Sequence, residues 1–194
     1  KREIEITPKN RSKVYGKSYT FAGVAKEVDI TKGSLASGDK ITTVKLKSAA
    51  TAKTAAAGTY EITASNAAIS SGAANYTISY AKGKFLVTKS DLTIIANSTN
   101  KVYGTRIDFT GKEFTTDPAT LPNGDTVTNV TLTSDGADAT VWCGEYAIVP
   151  ANARGIGLGN YAITYSNGTL TVNKRAIEIT PRNGYKTYGD TYPF

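Results

Sequence analysis

The chain has 194 residues, 40% of them apolar, and a formal net charge of +7, with one Cys, one Trp, no Met and no His. The lack of His removes the commonest general base and metal ligand. A lone cysteine, Cys143, forms neither an internal disulfide nor a Cys-rich zinc site and is expected as a small buried apolar residue.

The opening Lys1-Arg2-Glu3-Ile4-Glu5-Ile6 alternates polar and apolar and carries no signal-peptide apolar stretch. The pattern predicts a first strand over residues 3–7, and the same segment returns later. Ile4-Glu5-Ile6-Thr7-Pro8 recurs as Ile177-Glu178-Ile179-Thr180-Pro181, with a weaker copy at Leu92-Thr93-Ile94-Ile95-Ala96. Each copy leads to an aromatic-glycine step, Tyr15-Gly16, Tyr103-Gly104 and Tyr188-Gly189, and each Gly is followed five residues on by Phe21, Phe109 or Phe194.

The register continues along the chain. Asp39-Lys40-Ile41-Thr42 matches Asp125-Thr126-Val127-Thr128, and Gly58-Thr59-Tyr60-Glu61-Ile62 matches Gly144-Glu145-Tyr146-Ala147-Ile148. Asn75-Tyr76-Thr77-Ile78 matches Asn160-Tyr161-Ala162-Ile163, and Phe85-Leu86-Val87-Thr88-Lys89 matches Leu170-Thr171-Val172-Asn173-Lys174. The copies are offset by 88 residues at Gly16 and Gly104, 86 at Gly58 and Gly144, and 85 at Asn75 and Asn160. Two short deletions, both in loops, separate them. The organisation is therefore two modules, 1–89 and 90–174, and the opening of a third, 175–194.

Period-two alternation and enrichment in Val, Ile, Thr and Tyr predict six strands per module. They lie at residues 3–7, 19–23, 41–47, 59–64, 76–80 and 84–88, then 91–96, 107–111, 126–132, 145–149, 161–165 and 169–173. One buried and one solvated face per strand suits antiparallel sheets packed as an Ig-like β-sandwich. The Ala-rich stretch from Ala49 to Ala57 reads as a loop, because its partner around Ser134–Val141 is a poor helix. The joints, Lys89-Ser90-Asp91 and Asn173-Lys174-Arg175, are short. The expected architecture is all-β: two tandem sandwich-like modules plus the first strand of a third, end to end as a stiff rod, each module roughly 30–40 Å long.

Charge is what the copies do not share: residues 1–88 carry +8 and residues 89–173 carry −3. A polyanion-binding module would be basic in both copies, so no nucleic-acid partner is expected and the basic surface reads as variable solvated face, though the basic first module can still attract anionic glycans or cell walls. No run reaches the about 18 apolar residues needed for membrane insertion as a helix.

Candidate catalytic and binding groups have blander readings. Gly155-Ile156-Gly157-Leu158-Gly159 precedes a strand and lacks dinucleotide spacing, so it is a turn. Glu3 and Glu5 share a strand face, but their counterparts are Asp91 and Thr93, so no acid/base pair is kept. Asp39 and Asp125 follow Gly and read as turn residues, with no cluster of carboxylates for calcium. Sequons at Asn10, Asn75, Asn97, Asn129 and Asn167 are what chance gives in a chain rich in Asn, Ser and Thr. Tyr15-Gly16, Tyr103-Gly104 and Tyr188-Gly189 are the strongest local signature, read as a core anchor at a turn, with Tyr15 and Tyr103 both buried. No catalytic residue, metal ligand or cofactor is expected, and the protein is not expected to be an enzyme.

The order apolar strand, Tyr-Gly, Gly-Asp, Gly-x-Tyr-x-Ile, Asn-Tyr-x-Ile-x-Tyr, Leu-x-Val-x-Lys resembles the MBG-type repeats, YGX variety, of large bacterial surface proteins. The resemblance covers essentially the whole chain. It implies a secreted or cell-surface, adhesin-like protein and supplies no catalytic residues. Two roles follow. In one the modules form the stalk or filament of an extracellular structural protein, giving reach and stiffness, with neighbouring modules of the same chain as partners. In the other they bind a carbohydrate or host surface multivalently. Three fates are open for the stub: the strand after each joint completes the sheet of the preceding module in cis, or it adds to a neighbouring chain in trans and self-assembles into fibres, through Ile177 and Ile179 in the stub and Ile4 and Ile6 at the start, or it is only a packed tail.

Overall fold

The computed structural model describes residues 1–193, which form fourteen strands, seven in each repeat. The first module holds β1 (Arg2–Pro8), β2 (Arg11–Val14), β3 (Val28–Lys32), β4 (Ile41–Lys47), β5 (Gly58–Ile69), β6 (Tyr76–Tyr80) and β7 (Gly83–Thr88). The second holds β8 (Ser90–Ala96), β9 (Thr99–Val102), β10 (Phe114–Asp117), β11 (Thr126–Thr133), β12 (Gly144–Ile156), β13 (Tyr161–Ser166) and β14 (Gly168–Asn173). The sheets of the first run β3-β1-β6 and β2-β7-β5-β4, and those of the second β10-β8-β13 and β9-β14-β12-β11. The two copies thus have the same strand order, in two tandem β-sandwich-like units.

The alternation read from the sequence makes the core. Ile4 and Ile6 of β1, with Val28 of β3 and Tyr76 of β6, face Ile41 and Val44 of β4 and Ala64, Ala67 and Ile69 of β5. Each fully buried Ile contributes about 1.5–3 kcal/mol of transfer free energy. A second cluster holds Ile62, Phe85 and Val87 of the first module. It is continuous with Leu92, Ile94, Val130, Ile148, Tyr161 and Leu170 of the second, so the hydrophobic core crosses the joint.

The structure corrects the strand list in three ways. Residues 19–23 and 107–111 are not strands. Tyr19 and Phe21 instead stack edge-on against Phe85, with ring centroids 5.0 and 6.1 Å away, so their apolar bulk fills the core without a ladder. Four short strands were not singled out by the alternation: β2 and β9, which follow β1 and β8 in the chain, and β3 and β10, which lie beside β1 and β8 in the sheet. The ladders are mixed, because β1 runs parallel to β6 and β2 parallel to β7, with the same pairs repeated as β8–β13 and β9–β14. Strands β5 and β12 also run past their predicted ends. Each bends at an Asn in the left-handed region, Asn66 (φ 51°) and Asn152 (φ 50°), a conformation Asn tolerates better than most side chains.

One expectation about the stub does not hold. Residues 174–193 contain no strand, and Ile177 and Ile179 are 80% and 83% exposed. Their counterparts, β1 and β8, are central strands with a neighbour on each side. A lone strand without such neighbours is marginal in water. β1, which carries Ile4 and Ile6, is paired on both edges, by β3 and by β6. At the first joint the strand of the next module does not complete the sheet of the preceding one, since β8 pairs with β10 and β13 of its own module.

Candidate functional site

The segments that the copies share most closely meet at the joint between modules. From the first module, β2 ends at Val14 and delivers Tyr15 and Gly16. From the second, the turn before β11 delivers Leu121, Pro122 and Asp125, the turn before β13 delivers Asn160, and the first residue of β13 is Tyr161. Tyr15 is 5% exposed, and its ring lies edge-on to Tyr161 with centroids 5.6 Å apart. Its hydroxyl donates to Asp125 Oδ2 over 2.9 Å, and Tyr161 donates to the same oxygen over 2.8 Å. One carboxylate oxygen therefore holds two phenols, one from each module.

Two further bonds cross the joint. The Ala57 amide donates to Asn160 Oδ1 over 2.9 Å, and Asn123 Nδ2 donates to the Lys53 carbonyl over 3.1 Å. Gly16 has φ +80°, and a Cβ there would lie 2.7 Å from Pro122 Cγ, so the step needs glycine on both counts. Burial, and then the negative charge of Asp125, push the phenols of Tyr15 and Tyr161 above the ordinary tyrosine range.

Each half of this contact has a counterpart. In the first module Tyr76, 5% exposed, donates to Asp39 Oδ2 over 2.5 Å, as Tyr161 does to Asp125. Asp39 and Asp125, expected as turn residues, each follow a Gly with positive φ, Gly38 (84°) and Gly124 (82°). The structure adds their role as acceptors. Tyr103, the counterpart of Tyr15, departs from the expected burial: it is 40% exposed. Tyr188 is fully exposed in the stub. The Tyr-Gly step is therefore an anchor between modules, buried only where a following module covers it. Gly104 (φ 88°) and Gly189 (φ 96°) keep the left-handed turn.

A second shared device was missed in the sequence. Lys13 is 9% exposed, and its ammonium donates to the carbonyls of Lys17 (2.6 Å) and Ala52 (2.7 Å). Lys101, 6% exposed, does the same with the carbonyls of Thr105 (3.0 Å), Ala137 (3.2 Å) and Asp138. Each lysine ties the Tyr-Gly turn to the long loop beside it, and desolvation lowers the Lys13 pKa. The signal was present: the signature is Lys-x-Tyr-Gly, with Lys13, Lys101 and Lys186 two residues before each Tyr. Glu27 and Glu113 form another hidden pair. Glu27 accepts from the Gly23 amide over 2.7 Å and Glu113 from the Gly111 amide over 3.0 Å. The deletion between them, three intervening residues against one, concealed the match.

The remaining candidates disperse. Glu5 is bound to Thr31 and Lys32, while Glu3 is exposed on the same strand. Gly155 and Ile156 end β12, and Gly157 (φ 76°) makes the turn that follows, pressed against the Asp125 carboxylate. Cys143 is exposed, against expectation. It occupies the place of Ala57, in the loop before β12.

The sequence model of one family, described as MBG domain (YGX type), matches residues 4–86 and 92–171. The chain belongs to that family, as two tandem domains. No curated protein matches it.

Proposed function

We propose that these domains are structural repeats of an extracellular surface protein, acting as a stalk that sets reach and stiffness, and that they carry out no chemistry. The observation that supports this best is where the shared residues went. Tyr15, Gly16, Asp125, Asn160 and Tyr161, drawn from the motifs common to both copies, hold one module against the next. A ligand-binding repeat would instead keep a common exposed cluster, and the charge of +8 against −3 varies freely between the copies. The hydrophobic core that runs through the joint supports stiffness, because bending there opens apolar surface to water. The family's setting in secreted, adhesin-like proteins supports the location. The test is to remove one module from the intact surface protein and measure the distance of its tip from the cell envelope by immunogold microscopy. A stalk shortens by one module, roughly 30–40 Å. An unchanged distance, with loss of ligand binding instead, overturns the reading.

A further inference from the structure

The joint between the two modules has a donor half and an acceptor half, and each module carries both. The second module's donor half consists of Tyr103, Gly104 and the loop that ends at Cys143. The first module's acceptor half consists of Leu35, Asp39, Asn75 and Tyr76. Within this chain neither is covered by a partner module. Tyr103 is 40% exposed where Tyr15 is 5%, and the neighbouring Trp142 is 81% exposed. Asn75 is exposed where Asn160 is half-buried. Leu35 is half-buried where Leu121 is buried in the joint.

We infer that the Tyr103 end of this chain docks onto the Asp39–Tyr76 end of a second copy of the repeat, reproducing the contact of Tyr15 with Asp125. The inference deepens the stalk reading and rests on it. The occupant is argued from the molecule itself, because the equivalent surface of the first module is seen covered by the second. Asp39 accepts from Tyr76 on Oδ2, the counterpart of the Asp125 oxygen that takes Tyr15, and Ser71 and Ser70 also hydrogen-bond to its carboxylate. The Cys143 amide stands in the place of the Ala57 amide, and Asn75 in the place of its acceptor Asn160. The contact is heterologous, donor to acceptor, so repeating it extends the array instead of closing a dimer. The order of the chain agrees: Lys174-Arg175-Ala176-Ile177-Glu178-Ile179 repeats Lys1-Arg2-Glu3-Ile4-Glu5-Ile6 with one change, so a module like the first begins directly after Asn173.

The experiment fuses a second full copy of the chain after Asn173 of the first, with Tyr103→Phe in the second copy so that one Tyr103 remains. Nitration by tetranitromethane, read by mass spectrometry, then reports on that phenol. Docking predicts that Tyr103 is nitrated several-fold more slowly than in the single chain, approaching Tyr15. Asp39→Asn in the second copy should restore part of the rate. The same rate in the fusion and the single chain, with Tyr15 still protected and both copies showing a cooperative unfolding transition, overturns the inference and leaves the stalk reading standing. Rapid nitration of Tyr15 in the single chain overturns both.

Discussion

Tyr15 of the first module and Asp125 of the second are joined by a 2.9 Å hydrogen bond across 110 positions of sequence, and Tyr161 donates to the same carboxylate oxygen. The bond has a consequence that separates two residues otherwise alike. Tyr15→Ala removes a buried ring and should cost about 3–5 kcal/mol, the scale for a deleted aromatic. Tyr103→Ala, at the equivalent but half-exposed position, should cost about 0.5 kcal/mol or less, the usual scale for a surface substitution. Urea unfolding of the two variants checks this. Equal losses would contradict the anchor role assigned to the joint.

The hydrogen bond itself is separable from the ring. Tyr15→Phe should cost about 1 kcal/mol, because Asp125 keeps Tyr161. Asp125→Asn and Tyr15→Phe should be coupled, the double variant losing less than the sum of the singles. Additive losses in a double-mutant cycle would mean that the phenol and the carboxylate act independently.

The raised pKa of Tyr15 and Tyr161 makes the fold sensitive to alkali. Above about pH 10 the unfolded chain releases phenol protons that the folded joint retains. Folded protein then binds more protons than unfolded, so stability falls as pH rises past that point. Chemical denaturation at pH 8 to 11 should show the decline, and Tyr15→Phe should flatten part of it.

Much of this fold was legible from the repeat. Matching Ile4–Pro8, Gly58–Ile62 and Asn75–Tyr80 to their second copies located strands and fixed both modules. Residues 19–23 misled because Tyr19 and Phe21 are apolar at alternating positions yet serve as core filler, and spacing alone does not show whether backbone groups find a ladder. The joint was half legible. Tyr-Gly, Gly-Asp and Asn-Tyr stood out as shared, but reading each within its own module placed Tyr103 in a core. A residue that anchors the next domain has the same local pattern as one that anchors its own.

Acid should act on a different place. Glu113 accepts from the Thr110 hydroxyl and from the amides of Thr110, Gly111 and Lys112, which hold its carboxyl down at about 2. Its contribution is present above the unfolded value near 4.5 and is lost as pH falls from there toward 2. Comparing parent and Glu113→Gln by thermal unfolding should show the variant destabilised at pH 7, with the two converging by pH 2. A constant difference across that range would remove Glu113 from the account.

The buried lysines predict a loss in both modules. Lys13→Met keeps the apolar stem but leaves the carbonyls of Lys17 and Ala52 without their donor, at a cost of about 1–3 kcal/mol. Lys101→Met should cost a similar amount. Surface lysines such as Lys45 or Lys53 serve as controls, and equal effects at all four positions would show that the carbonyl contacts contribute nothing.

The central claim is that the modules form one stiff unit, pinned where Tyr15 meets Asp125. Residual dipolar couplings measured by NMR on the two modules of one chain test it directly. A single alignment tensor should fit both modules of the parent, and Tyr15→Ala should split them into two tensors of unequal magnitude. Two independent tensors in the parent itself would contradict it.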